Sequence, residues 1–340
     1  MDSGPHDNIE VGVKADRLSN LSDDLIHKIL SFVSINDTVK TMALSSRYRF
    51  IWTTMPYLNF DSDDFSSLQN FVDCFLQRRN NQIDVSSLYL DIGIKQVTDP
   101  SVKKLMRYAF SHNIQRVEVT CMPQGHWGKR FQLIEFPLSL FSSKSLEHLS
   151  LNNYWSRDQR LKLEAMSILE LPALTTLYLE GITSASDDDA NCCVITGLFS
   201  KCTNLKHLTL ISCNTVDKSS LSICHPGLSN LTLYNIRAWS VNVVAPQLEN
   251  LTITDDDDCS SDGMLEYVIS APNLASLAYR GRYPLHLSTD GFHSLKEADI
   301  RVLADPLDVN DAPQMVGLLQ QLHNVKFLKL NLEIIEVYIS

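Results

Sequence analysis

Two hydrophobic rhythms divide the chain. In residues 16–52, "DRLSNLSDDLIHKILSFVSINDTVKTMALSSRYRFIW", apolar side chains recur at helical spacing. Ser22 stands at an N-cap position and Asp23 and Asp24 fall in the first turn, where carboxylates favour the positive end of the helix dipole. Leu25, Ile26, Ile29, Leu30 and Val33 follow, which predicts a first helix of about three turns. Asn36 or Asp37 caps a second helix carrying Val39, Met42 and Ala43, and a third short helix carries Tyr48, Ile51 and Trp52. In "DFSSLQNFVDCFLQRRN", Phe65, Leu68, Phe71, Val72, Phe75 and Leu76 make one apolar face, with Arg78 and Arg79 at the C-terminal end. This predicts a connecting or capping helix.

From residue 85 the rhythm becomes a six-residue pattern, apolar-x-x-apolar-x-apolar, that appears ten times. Clear copies are "LEHLSL" from Leu146, "LTTLYL" from Leu174, "LKHLTL" from Leu205, "LSNLTL" from Leu228 and "LENLTI" from Leu248. Looser ones start at Val85, Ile114, Leu274, Leu295 and Val325. Their mean spacing, about 27 residues, is that of leucine-rich repeats. Each copy predicts one short strand whose alternate residues point inward, while the rest of the unit climbs over the back as helix or irregular turns. No unit hides its apolar face alone; a buried Leu-sized side chain yields about 1.5–3 kcal/mol only once neighbours stack. Cys202 and Cys213, in "FSKCTNLKHLTLISC", are expected to pack beside a strand as small apolar thiols. The expected architecture is α/β: an N-terminal three-helix module followed by a curved leucine-rich-repeat solenoid. Residues 1–15 form a flexible leader, 16–56 the module, 57–84 the connection and 85–340 the solenoid.

Composition narrows the function. A length of 340 residues with 44% hydrophobic and 20% charged positions suits a packed protein of more than one unit. The formal net charge of −11 repels a phosphate backbone, and no basic patch stands out along the chain, so nucleic acid is not an expected partner. Eight cysteines form no CxxC pair, so no structural zinc is expected. The N-terminus carries no apolar core of a signal peptide and no run approaches a membrane span. A reducing location, nucleus or cytoplasm, is expected, with no membrane partner. P-loop, GxGxxG, GxSxG and HExxH motifs are absent, and "GHWGKR" at 125–130 lacks the glycine spacing for phosphates. Neither catalysis nor a cofactor is expected. The aspartate runs "SDDDAN" and "TDDDDCSSDG" lack EF-hand spacing and suit solvated loops.

Residues 16–52 resemble the F-box, the three-helix module that docks on a Skp-family adaptor of cullin-based ubiquitin ligases. The match runs through "DRLSNLSDDLIHKILSFVS" and "DTVKTMALSSRYRFIW". "MPYLNFD" after the box and "FPLSLFSSKSLEHLSL" at 136–151 are similar to plant F-box/leucine-rich-repeat proteins, so the resemblance covers nearly the whole chain. The chain departs from that pattern where Ser22 replaces a proline and Tyr48 a tryptophan, which implies a folded box with weaker docking. It stops at "NLEIIEVYIS", where family members commonly run on into further repeats and a small C-terminal domain. A shortened form or an exposed last repeat is expected.

The resemblance implies a substrate-recognition subunit of an SCF-type ligase, with a Skp-family adaptor, through it a cullin, and a protein target as partners. On the box it points to Leu18, Leu21, Leu25, Ile26 and Ile29, with Trp52 in support, as the adaptor face. For the target, strand positions that point away from the buried leucines are the natural readers. These are His148, Ser150, Tyr178, His207, Thr209, Thr232, Tyr234, Thr252, Arg280 and Arg301, together with Asp299 and Lys329, a set of no single charge sign. A repeat scaffold whose box has lost the adaptor is the competing expectation.

Overall fold

The computed structural model describes residues 20–61, 68–122, 132–136, 143–153, 159–163, 169–184, 198–199, 201–215, 220–255, 265–282, 285–289, 292–303 and 312–331. Every hexamer contributes one strand, which begins at its third residue. With one further strand these form a single parallel sheet of eleven, in chain order. The strands are β1 Tyr57–Asp61, β2 Ser87–Gly93, β3 Arg116–Met122, β4 His148–Asn153, β5 Thr176–Glu180 and β6 His207–Ile211. β7 Asn230–Tyr234, β8 Asn250–Asp255, β9 Ser276–Gly281, β10 Glu297–Val302 and β11 Phe327–Leu330 complete it.

The register explains why the pattern needs three apolar positions. The fourth residues of successive copies are direct partners, as in Leu149–Leu177–Leu208–Leu231–Leu251–Leu277, and the sixth residues form a second inward ladder. In several copies the first residue closes a tight turn below its strand: Leu174, Leu205, Leu248 and Leu274 each donate their backbone N–H to the carbonyl three residues earlier. All three rows are buried through the middle of the array, so each leucine finds its apolar contacts in the units on either side.

The backs of the repeats correct the expectation of helix or irregular turns. Leu221–Cys224, Ser240–Val244, Glu266–Ser270 and His286–Thr289 form a second parallel sheet, and Gln132–Phe136, Gln159–Leu163, Ile182–Ser184 and Asn214–Thr215 a third. Among their described residues the repeats also carry a 3-10 stretch, Ile94–Thr98, and two longer α-helices. These are α4 (Pro100–Phe110), whose N-cap Asp99 accepts from Ser101 N–H at 2.7 Å, and α5 (Ala312–Gln321).

At the N-terminus lie α1 (Asp23–Leu30), α2 (Ile35–Lys40) and α3 (Leu68–Arg78). The cap of α2 is Ser34, whose hydroxyl accepts from Asp37 N–H at 3.2 Å, and not Asn36 or Asp37. In place of a third α-helix stand two 3-10 stretches, Thr41–Ala43 and Ile51–Thr54. Pro56 keeps Met55 in extended backbone and so stops a longer helix there. Ile26, Leu30, Tyr48, Ile51 and Met55 make a small local core. Ile35 and Trp52 instead belong to the large core: the Trp52 ring lies 5.6 Å from Phe75 of α3, which meets Phe60 of β1 edge-on at 5.5 Å. The helical module and the repeats therefore share one interior.

Candidate functional site

Helix α1 is apolar on two sides. Ile26, His27 and Leu30 face inward, and the His27 ring anchors the helix by hydrogen bonds to the Ile51 carbonyl (3.3 Å) and the Thr54 hydroxyl (3.1 Å). Arg47 ties the other end, bonding the Leu21 carbonyl and the Asp23 carboxylate. The outward side is Leu25, Ile29 and Phe32, spaced i, i+4, i+7 and 54%, 51% and 76% exposed. Val33, Met42, Leu44 and Phe50 are exposed on the same module. Contiguous apolar exposure of this kind marks an interaction surface.

Of the residues expected to face an adaptor, Leu25 and Ile29 are on this surface and Leu21 is half-buried against the small core. Leu18 lies outside the described residues. Ile26 and Trp52 are interior residues instead. Helical spacing alone gave α1 two apolar faces, and His27 takes the 26/30 side inward; Trp52 is held by its stack on Phe75 and by Nε1–H donating to the Arg49 carbonyl at 3.1 Å. Phe32, Leu44 and Phe50 are surface residues that periodicity missed, since they sit at or beyond the ends of the apolar runs.

The large sheet has an open face. Its three outward rows, at the third, fifth and seventh positions of the repeat, carry every residue expected to read a target. His148 and His207 stand in the first row, Ser150, Tyr178, Thr209, Thr232 and Thr252 in the second, and Tyr234, Arg280 and Arg301 in the third. None is buried. Asp299 and Lys329 are direct register partners in the second row, and Asp299 grips Arg301 with two bonds of 3.0 and 2.9 Å, which lowers its own proton affinity. Tyr178 donates to Glu180 at 2.7 Å, and Asn250 to Asn230 at 2.8 Å. Burial and the neighbouring Arg116 charge both hold His148 below its ordinary pKa.

Where α1 meets the first strands the face opens into a cleft of about 840 Å³, lined among others by Lys28, Phe32, Tyr57, Tyr89, Arg116 and His148. The Lys28 ammonium lies 5.4 Å from the Phe32 ring centre and 5.7 Å from that of Tyr57. Cys202 and Cys213 are buried as expected, and burial pushes the Cys202 thiol up to about 11. No group of three or more His, Cys, Asp or Glu among the described residues could hold a metal, and no helix among them is long and apolar enough to cross a membrane. The aspartate run "SDDDAN", the second run past Asp255, "GHWGKR" and the final "LEIIEVYIS" lie outside the described residues.

Comparison with known proteins settles the kinship of these two surfaces. An F-box domain model matches residues 18–60, and the model of the LRR repeats of the FBD-associated F-box protein At5g56370 matches residues 102–333. The chain belongs to the F-box/leucine-rich-repeat family. Neither matched family is a catalytic one. Among similar Arabidopsis thaliana proteins, F-box/LRR-repeat protein At3g26922 is 25% identical over 97% of this chain and 94% of its own length. Putative FBD-associated F-box protein At5g53635 is 29% identical over 70% of this chain and 54% of its own, and FBD-associated F-box protein At5g22730 is 29% identical over 78% and 51%. The F-box/LRR chain thus spans nearly all of the first relative and about half of the other two.

Proposed function

We propose that this F-box/LRR chain is a substrate-recognition subunit of an SCF-type ubiquitin ligase of the nucleus or cytoplasm. The box, residues 16–56 and read as the family's three-helix module, docks a Skp-family adaptor and through it a cullin. The repeats, 85–340 and read as a curved solenoid, hold a target protein. The observation that carries the proposal is the exposed Leu25, Ile29 and Phe32 stripe on the outward side of α1. Aliphatic and aromatic anchors of this kind dominate protein interfaces. No bond is made or broken on this chain; holding a target's lysines near a charged ubiquitin-conjugating enzyme raises their effective concentration.

The test is capture of a purified Skp-family adaptor by the full chain. Wild type binds and Leu25→Asp does not, while both unfold at the same denaturant concentration because Leu25 is half exposed. Binding that survives the Asp change refutes the stripe as the docking face. A scaffold with a weakened box is the competing reading, and one feature favours it: the Ser22 cap bond to Leu25 N–H is long, at 3.4 Å. Under that reading wild type fails to bind, whether or not Ser22→Pro rescues it.

A further inference from the structure

The outward rows of the sheet and the row just below them, the second residue of each repeat, sort charge by position along the array. Over β1–β5 these rows hold five carboxylates, Asp61, Asp91, Glu118, Glu147 and Glu180, against one cation, Arg116. Over β6–β8 the only charges in them are Lys206 and Glu249, and the middle row is Thr209, Thr232 and Thr252, flanked by His207, Asn230 and Asn250 on one side and Ile211, Tyr234 and Thr254 on the other. Over β9–β11 the sign reverses: Arg280, Lys296, Arg301, Lys326 and Lys329 stand against Glu297 and Asp299. All of these are solvent-accessible. Residues 256–258, aspartates by sequence, lie outside the described residues and are not counted.

A net positive patch on a chain of formal charge −11 does not follow from composition. Nor do the two ends neutralise each other. Four strand steps separate Glu180 from Arg280, roughly 19 Å at ~4.8 Å each, more than twice the Debye length of ~8 Å at physiological salt. Asp61 and Asp91 are direct register partners, so two carboxylates stand side by side at one end. Such an arrangement complements a partner of opposite polarity. The acidic end also holds the cleft, where Glu118 and Glu147 join Phe32 and Tyr57, two rings already close to the Lys28 ammonium.

We propose that the open face takes a bipolar segment of the target, basic at the end over β1–β5, neutral and small across β6–β8, and acidic at the end over β9–β11. The inference deepens the target-binding reading and rests on it. The probe is a synthetic peptide with a lysine block and a glutamate block joined by a serine-threonine spacer of about six residues, ~20 Å when extended. A photo-crosslinker is placed at one end or the other, and the full chain is labelled at low and at physiological salt. The expected result is labelling of β1–β5 from the lysine end and of β9–β11 from the glutamate end. Asp91→Lys with Glu180→Lys, or Arg280→Glu with Lys326→Glu, weakens capture about tenfold, and all four changes together, which remove the charge difference between the two ends, abolish the polarised labelling. Equal labelling from both ends, or no salt-sensitive capture, overturns the proposal. Adaptor capture by the same variants is read separately: its loss in wild type with polarised labelling intact sinks the ligase reading alone.

Discussion

Gly181, which follows β5, has φ +64°, and a Cβ added there would lie 2.5 Å from the backbone oxygen of Asn153. Backbone cannot swing aside as a side-chain tip can, so Gly181→Ala forces the turn off its path. Two bonds are then at stake: Gly181 N–H to the Ile211 carbonyl at 2.9 Å, and Asn153 Nδ2–H to the Gly181 carbonyl at 3.1 Å with Asn153 buried. Left-handed strain of about 1–2 kcal/mol and the loss of one or both bonds at about 1 kcal/mol each give a destabilisation of ~2–4 kcal/mol. The internal control is Ser212, the residue after β6, which already lives at φ +49° with its N–H on the Tyr234 carbonyl at 2.8 Å. Ser212→Gly relieves strain but frees the unfolded chain, so its net effect stays within about 1 kcal/mol. Urea unfolding of the three proteins measures both, with hydrogen exchange at the amides of positions 181 and 212 locating the damage. A Gly181→Ala change as mild as Ser212→Gly would refute the steric account.

Three more outcomes follow. His225 is buried and neutral, with Nε2–H donating to the Cys202 carbonyl at 3.0 Å and Nδ1 accepting from Gly227 N–H at 3.2 Å, and burial lowers its proton affinity. The unfolded chain therefore binds that proton more readily; the His225 contribution is complete above its ordinary pKa of about 6.5 and is lost as pH falls below it. Unfolding midpoints at pH 7.5 and 5.5 should diverge less in His225→Gln than in wild type. The Arg79 guanidinium is buried and bonds Tyr108 through Nε at 3.0 Å, while neither terminal nitrogen has a hydrogen-bond partner among the described residues. Thermal unfolding should show Arg79→Met neutral or stabilising by about 1 kcal/mol, and Tyr108→Phe destabilising by ~1–3 kcal/mol, because the second leaves the charge buried without its hydrogen bond.

The repeat was legible because its apolar spacing is a packing requirement: one residue closes the turn and two point into the stack. The same rule was present one unit earlier, unnoticed, in "MPYLNF", where Met55, Leu58 and Phe60 occupy the three apolar positions and are each about 1% exposed. The back strands also left a trace. "SVNVV" and "EYVIS" alternate and stop just before Pro246 and Pro272, yet runs this short do not say whether they pair. The box was harder. A helix apolar on both sides cannot announce which side is core, and only His27 reaching Ile51 and Thr54 decides it. The sorting of charge lay beyond linear inspection, since Asp61, Asp91 and Glu180 fall in one row only through the register of strands far apart in the chain.

Because β1 is both the end of the F-box match and the first strand of the sheet, the box cannot be handled as a cassette. Cutting it away would strip Trp52 and Ile35 from the large core and leave β2 as a raw apolar edge, a ready template for strand addition by a second chain. Grafting it onto a foreign array would carry along a strand whose inward leucine and phenylalanine demand this array's own α3. Swinging the box against the array would pull Ile35 and Trp52 off Phe75 and Phe60, so the shared interior resists motion between the two surfaces.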